Sequence, residues 1–513
     1  MLKNRYWRWI ALALTLLVLL SVIFIFLHLE SVSCMGVIIR SAEDLSGYRE
    51  KTGDDLSYSL RFNGEPCAVD VTTSTVYISQ NISDGTAYGD LFGTLSVSLL
   101  GHSLYFEENE YFYDLDSAVK NGEKFRLLIV TPDQKYAEYS VVFTTLPVVR
   151  LDGEYSHMNS SGREVNSGSV CLWSPFDTDL GRYSVKSSAT EWNIRGATSA
   201  ILAKKPYKLS LKTKKGNNND VAFLGLGEDD DWILNPMNTD DSDVREKLAM
   251  SLWNEISAES EHSRKMSEGE YVEVVINGSY NGLYLLQRRI DNKYLELDRD
   301  DILFKGLHTW TAETPRQGYE ISYSNLSEDE TFALLENLNS PDGKTSIDLD
   351  SFIDVSLFIQ LGAMNDNKGY NNMYYLLEPS GGGYSLSFVP WDTDISFGIA
   401  YNNWFVYDYE AKLNALSPRM ELGLMERSHP DIYASMARRW FELRETTFSL
   451  ENINSIIEDN TSVLTSSGVN KRDIERWGKF HGGKDSVDTV GRFIEEKIAL
   501  LDKYYGAFLE SEE

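Results

Sequence analysis

Apolar positions change their rhythm along the chain. From Trp9 to Leu27 they run for about 19 positions without a charge, behind a flank that carries Lys3, Arg5 and Arg8. A helix of ~20 apolar residues spans a bilayer. Phe24, Ile25, Phe26 and Leu27 carry the run to its end, and Ser31-Val32-Ser33 is a weak cleavage site that lacks the leucine of a lipoprotein signal before Cys34. The segment reads as an uncleaved signal anchor. The positive flank keeps the N-terminus in the cytoplasm, so the bulk of the chain is expected outside, on a single-pass membrane anchor.

From residue 35 to 148 the rhythm is that of strands. Alternating or β-branched runs at Val69–Ile78, Leu95–Leu99, Lys124–Val130 and Glu138–Thr144 are separated by Asn63-Gly64, Asp84-Gly85 and Asn121-Gly122. This spacing predicts a small β-sandwich-like module. Leu146-Pro147-Val148-Val149 marks its join to the rest. From 149 onward strand and helix periods mix. Tyr207, Leu209 and Leu211 alternate with Lys208, Ser210 and Lys212, a half-buried strand. Val244, Leu248, Leu252 and Ile256 predict a helix capped near Ser242. Tyr271–Ile276, Asn277-Gly278 and Gly282–Leu286 predict a hairpin. A helix follows over Ser351–Leu361, then strands at Met373–Leu377 and Tyr384–Val389 around Gly381-Gly382-Gly383. The remainder is helical near Ala415–Arg444, Leu450–Leu464 and Ser486–Phe508. The fold class is α+β.

The 513 residues include 48 basic and 78 acidic side chains, so the formal charge is 48 − 78 = −30. Such a surface repels nucleic acid and anionic headgroups, and no nucleic-acid partner is expected. Cys34, Cys67 and Cys171 are too few for a disulfide framework or a four-ligand zinc site, which leaves one Cys67–Cys171 bridge as the pairing open to them.

Three segments carry candidate chemistry. Lys204-Lys205-Pro206-Tyr207 is a basic strand in an acidic protein, and a lysine on a rigid strand can neutralise nucleotide phosphates. Asp366 precedes Asn371 by five positions, the spacing of a phosphotransfer loop in which the Asp accepts a hydroxyl proton and the Asn holds a metal. Each loop residue is also an ordinary turn former. Pro390-Trp391-Asp392-Thr393-Asp394 places carboxylates at the end of an apolar strand, where oxygen ligands suit Mg²⁺ or Mn²⁺. A carboxylate-pair glycosidase built on Asp392 and Asp394 is the weaker competitor. Two carboxylates two residues apart in one loop need not face each other at the ~5–10 Å that chemistry requires.

In this order the segments resemble the spore coat protein H kinase family. Ile194-Arg195-Gly196, Lys204-Lys205-Pro206-Tyr207, Asp231-Trp232-Ile233-Leu234, Arg245, Asn277-Gly278 with Gly282-Leu283-Tyr284-Leu285-Leu286, Asp366 with Asn371-Asn372, and Pro390-Trp391-Asp392-Thr393-Asp394 with Phe397-Gly398 carry the likeness. The resemblance implies a divergent protein-kinase-like domain over 149–513. It also implies ATP, Mg²⁺ or Mn²⁺, and protein substrates phosphorylated on Ser or Thr. By that resemblance Asp366 is the catalytic Asp, Asp392 a metal ligand, and Asn371 or Asn372 the second ligand. Lys204 or Lys205 meets the nucleotide, and Arg245 falls on a family position near it. Arg288 stands where the family has an acidic residue, and Glu273 is a candidate to replace it. That reversal keeps a non-catalytic, adhesin-like surface protein as the alternative.

Overall fold

The computed structural model describes residues 35–154, 164–177, 180–307, 315–336, 338, 344–367, 372–401, 404–408 and 422–510. The apolar segment Trp9–Leu27 lies outside them. Among the described residues no helix is long and apolar enough to cross a membrane.

The N-terminal part is β-rich, as its alternation predicts. Six strands form one mixed sheet, in the spatial order Ile38–Arg40, Ser103–Glu107, Phe125–Val130, Tyr136–Thr144, Thr75–Ser79, Ala68–Asp70. Three short strands, Glu65–Pro66, Leu60–Phe62 and Leu95–Val97, form a second. The run expected over Val69–Ile78 is a hairpin, because Asp70 accepts from the N–H groups of Thr72 and Thr73 and turns the chain. Its apolar core continues into Val148, Cys171, Trp173, Val275 and Tyr280 of the following barrel, and the Tyr77 and Tyr280 rings stack at 4.3 Å. Cys67 and Cys171 do not form the bridge open to them. Both are buried free thiols, and burial pushes the Cys67 thiol up to about 12.

Seven strands then close into a barrel: β1 (Val148–Gly153), β2 (Asn166–Asp177), β3 (Arg182–Ile194), β4 (Tyr207–Lys212) and β5 (Asp231–Asn235), followed after helix α1 (Arg245–Ala258) by β6 (Gly269–Ile276) and β7 (Ser279–Arg288). Their order is β1-β2-β3-β4-β5-β7-β6, and parallel pairing of β6 with β1 closes the ring. Alternation sends Tyr207, Leu209 and Leu211 inward against Trp192, Trp232 and Tyr284. A fully buried large side chain contributes about 2 kcal/mol, so the barrel interior is a packed core rather than a channel. The predicted cap of α1 is not Ser242. Asp240 accepts the Arg245 N–H at 2.8 Å instead.

The second half is built on a five-stranded sheet flanked by helices. It comprises β8 (Ile302–Gly306), β9 (Tyr319–Tyr323), β10 (Thr345–Ile347), β11 (Met373–Ser380) and β12 (Gly383–Pro390), in the order β9-β8-β11-β12-β10. Helix α2 (Leu349–Gly362) precedes the β11–β12 hairpin. Asp348 caps it, and it ends where Ala363 turns left-handed at φ 50°. The C-terminal helices are α3 (Leu422–Ser428), α4 (Ile432–Glu445), α5 (Leu450–Ser467), α6 (Val469–Trp477) and α7 (Val487–Glu510). Of the helical stretch expected near Ala415–Arg444, residues 415–421 lie outside the described residues, and the rest is divided after Ser428, at His429-Pro430. Proline disfavours helical geometry in the residue before it.

His262, just beyond α1, bridges to the start of α2 through Asp348 at 3.0 Å and Asp350 at 3.4 Å. Its hydrogen bond to Asp348 is the largest influence raising its pKa above the ordinary 6.5. A raised histidine pKa contributes stability that is complete below the unfolded value and disappears as pH rises through the folded one. The thermal stability of wild type minus that of His262→Ala should therefore be positive near about pH 5.5 and vanish by about pH 8.5. Melting curves of both proteins across that window check it, and a pH-independent difference contradicts the ion pair.

Candidate functional site

The loop after α2 is interlocked with the end of β12. Asn365 pairs with Tyr401 through both its amide groups. Asn367 is fully buried and donates to the carbonyls of Asn372, at 3.0 Å, and Trp391, at 2.8 Å. Trp391 N–H returns to the Asn372 carbonyl at 3.1 Å. The Asn372 side chain donates to Asp366 Oδ2 at 2.9 Å. Asp366 is thus tied to the strand end that presents Asp392. Asn372, one of the two proposed ligands, is the one placed on Asp366. Asn371 lies outside the described residues.

Asp392 sits at φ 57°, a left-handed conformation uncommon for residues other than glycine. Around it gather Asp394 and a carboxylate that sequence reasoning missed, Glu246 in the first turn of α1. Glu246 Oε2 accepts the Thr393 N–H at 2.7 Å and its hydroxyl at 2.9 Å, while Oε1 accepts from Gln287 at 3.2 Å. Asp394 accepts from Thr239 at 3.0 Å. Burial first, then the negative charge of Asp392, pushes Glu246 up to about 7. Burial, Asp392 and Glu246 together hold Asp394 well above the carboxylate range. Among the described residues no cation lies within salt-bridge distance of Glu246, Asp392 or Asp394. Enclosing several carboxylates without a counter-charge is costly, and a divalent ion relieves that cost. The donor set is all oxygen, and Asp392 and Asp394 keep part of their surface open. These residues therefore fit Mg²⁺ or Mn²⁺.

The positive side of the centre was also only partly visible in the sequence. Lys305 of β8 is depressed by burial and by Arg195, and its charged form is favoured by Glu320 and Asp392. The Arg195 guanidinium lies 5.4 Å from the centroid of the Trp391 ring. A lone lysine within the apolar strand Ile302-Leu303-Phe304-Lys305 was the available signal.

Lys204 is placed otherwise than on an open strand. It precedes β4, is buried, pairs with Asp473 of α6 at 3.0 Å, and lies over the Tyr284 ring. Asp473 occupies the space above Gly282, where a Cβ would come within 1.9 Å of its Oδ1, which explains the glycine at this point of β7. Lys204, Asn238, Asp243, Trp477 and Lys479 line a cleft of about 220 Å³. The segment between β5 and α1 connects this cleft to the carboxylates, with Asn238 donating to the Lys204 carbonyl and Thr239 to Asp394. Lys205 donates to the Ala200 carbonyl at 2.9 Å, and burial lowers its pKa.

Arg245 is turned into the protein. Its fully buried guanidinium donates to Asp240, Ser242, Asp485 and the carbonyls of Ser396 and Phe397, which engages every N–H it has. Glu273, the candidate to replace the missing acidic residue, is buried and pairs with Arg472 at 2.6 Å. Arg288 pairs with Asp229 at 2.8 Å and donates to the Leu226 carbonyl. The carboxylate oxygens of Asp220, Asp229 and Asp230 lie within 4.8 Å of one another, and their charge is largely offset by Lys293, which reaches all three, and by Arg288, which pairs with Asp229.

A closed barrel joined through α1 to a mixed sheet, with an interlocked Asp loop and an acidic strand end between them, defines an α+β protein with an acidic centre. A family model described as CotH kinase protein matches residues 193–501, more than half of the chain, and the chain belongs to this family. No curated protein matches the chain.

Removing one partner of a buried ion pair leaves an uncompensated charge and costs ~3–5 kcal/mol. Arg245→Met should therefore lower unfolding stability by that order, because Asp240 and Asp485 both lose their partner. Denaturant unfolding measures this. A variant of unchanged stability but weakened nucleotide binding would return Arg245 to the nucleotide.

Proposed function

We propose that this protein is an atypical protein kinase that transfers the γ-phosphate of ATP to Ser or Thr of protein substrates. It works with Mg²⁺ or Mn²⁺ and is held at a membrane by Trp9–Leu27, with its bulk on the extracytoplasmic side. The observation that carries the reading is the interlock of Asp366 and Asp392 through Asn367, Asn372 and the Trp391 backbone. Asp366 follows a helix, and Asp392 follows the hairpin after it. This is the order in which a protein-kinase-like domain presents its proton acceptor and its metal ligand.

In this reading Asp366 orients the acceptor hydroxyl and takes its proton as the oxygen attacks the γ-phosphorus. The bond between the γ-phosphorus and the β–γ bridging oxygen breaks, and ADP leaves. Asp392, with Asp394 beside it and Asn372 as the other candidate ligand, would hold the divalent ion, which when bound neutralises the phosphate oxygens. Lys305 and Arg195 supply fixed positive charge on the side of the centre facing Asp392. Arg288 does not argue against catalysis, since its charge is matched by Asp229. Glu246 stands beside Asp392 and holds the Thr393 N–H and hydroxyl. One observation favours the non-catalytic alternative. Lys204, the lysine expected at the nucleotide, is engaged by Asp473.

The two aspartates should fail differently. Asp392→Asn should abolish metal-dependent ATP binding together with turnover. Asp366→Asn should lower turnover by about two to four orders of magnitude while ATP binding stays near wild type, as expected for loss of a positioned base. Nucleotide titration with Mn²⁺ and phosphate incorporation into an acceptor protein, on the full chain and both variants, decide it. Equal activity in all three removes the kinase reading. Nucleotide binding without any transfer by the wild type favours the non-catalytic one.

A further inference from the structure

Asp392 is held in its left-handed conformation from both sides. Before it, Trp391 is fixed by the Asn372 carbonyl and by Asn367. After it, the Thr393 N–H and hydroxyl both end on Glu246 Oε2. A left-handed non-glycine residue is strained and persists only where its surroundings over-determine it. Glu246 is itself anchored. It lies on the first turn of α1, is almost wholly buried, and receives the Gln287 amide from β7 on its other oxygen. Its neighbour Arg245 grips the same acidic segment three residues further on, at the Ser396 and Phe397 carbonyls.

We propose that Glu246 is a positioning residue that fixes the Asp392–Asp394 turn for its divalent ion by holding Thr393, and that it is not itself a ligand. This rests on the reading of Asp392 as a metal ligand. Both Glu246 oxygens are already occupied by protein donors, and the contact is short because the side chain is long enough to span from α1 to the Thr393 backbone. What matters is then its reach and its acceptor oxygen rather than its charge.

Three variants separate these properties. Glu246→Gln keeps the reach and an acceptor oxygen for Thr393, and the Gln287 amide can turn to present its own oxygen. Glu246→Asp keeps the charge but is one methylene too short. Glu246→Ala removes both. Mn²⁺ affinity is measured on the full chain, with no nucleotide or substrate, by electron paramagnetic resonance of the free ion, and circular dichroism monitors the fold. Glu246→Gln should bind within a few-fold of wild type, while Glu246→Asp and Glu246→Ala should lose about 10–100-fold, the usual cost of losing a group that orients a ligand. If Glu246→Ala does not fold, the Gln and Asp variants still decide the matter. Loss in Gln with retention in Asp overturns the proposal in favour of a purely electrostatic role. Loss in both Gln and Asp overturns it in favour of direct ligation, and no loss in Asp and Gln alike also overturns it. A wild type that binds no Mn²⁺ removes the metal reading of Asp392 itself and this inference with it.

Discussion

The first turn of α1 sets where the acidic strand end lies. Arg245 and Glu246 are adjacent in sequence and opposite in charge, and both reach the segment after β12. Arg245 holds the Ser396 and Phe397 carbonyls and ties them to Asp240 and Asp485. Glu246 holds Thr393. The helix that leaves the barrel is thereby fixed to the hairpin of the second sheet, and the C-terminal Asp485 completes the grip. Hydrogen bonds to charged groups are the stronger ones, and in a buried setting they leave little freedom. A shift of α1 therefore cannot occur without moving Asp392 and Asp394.

That rigidity has an electrostatic consequence. The carboxylates of Glu246, Asp392 and Asp394 are brought together in surroundings that raise the pKa values of two of them. Carboxylates with raised folded pKa values destabilise the fold as pH climbs from the unfolded values toward the folded ones. A divalent ion reverses this, because it favours the charged forms and displaces their protons. Asp366, tied in through Asn372, lies at the edge of this field, where its negative charge contributes to raising Asp394.

Local chemistry was legible in the sequence and long-range pairing was not. The β6–β7 hairpin, the alternation of β4, the helix before Asp366 and the hairpin before Asp392 all follow from periodicity and turn residues within a few positions. The partners of Arg245, Arg288 and Lys204 lie far along the chain, at Asp485, Asp229 and Asp473. Nothing local distinguishes those aspartates from solvated surface acids in a chain with so many. Glu246 was hidden because an acidic residue in the first turn of a helix is already explained by the helix dipole. The long β2–β3 hairpin was missed because Ser, Gly and Thr dilute its alternation. Its register shifts between Ser174 and Asp177, which breaks the period again.

In the proposed function the carboxylate cluster is an ion site held ready by α1. Thermal unfolding of the full chain near about pH 7.5, with and without Mn²⁺ and without nucleotide, tests it most directly. An ion that binds only the folded state raises the melting temperature in proportion to the logarithm of its concentration once above its dissociation constant. A rise of a few degrees is expected in wild type and is absent from Asp392→Asn. No rise in wild type, or an equal rise in both proteins, contradicts it.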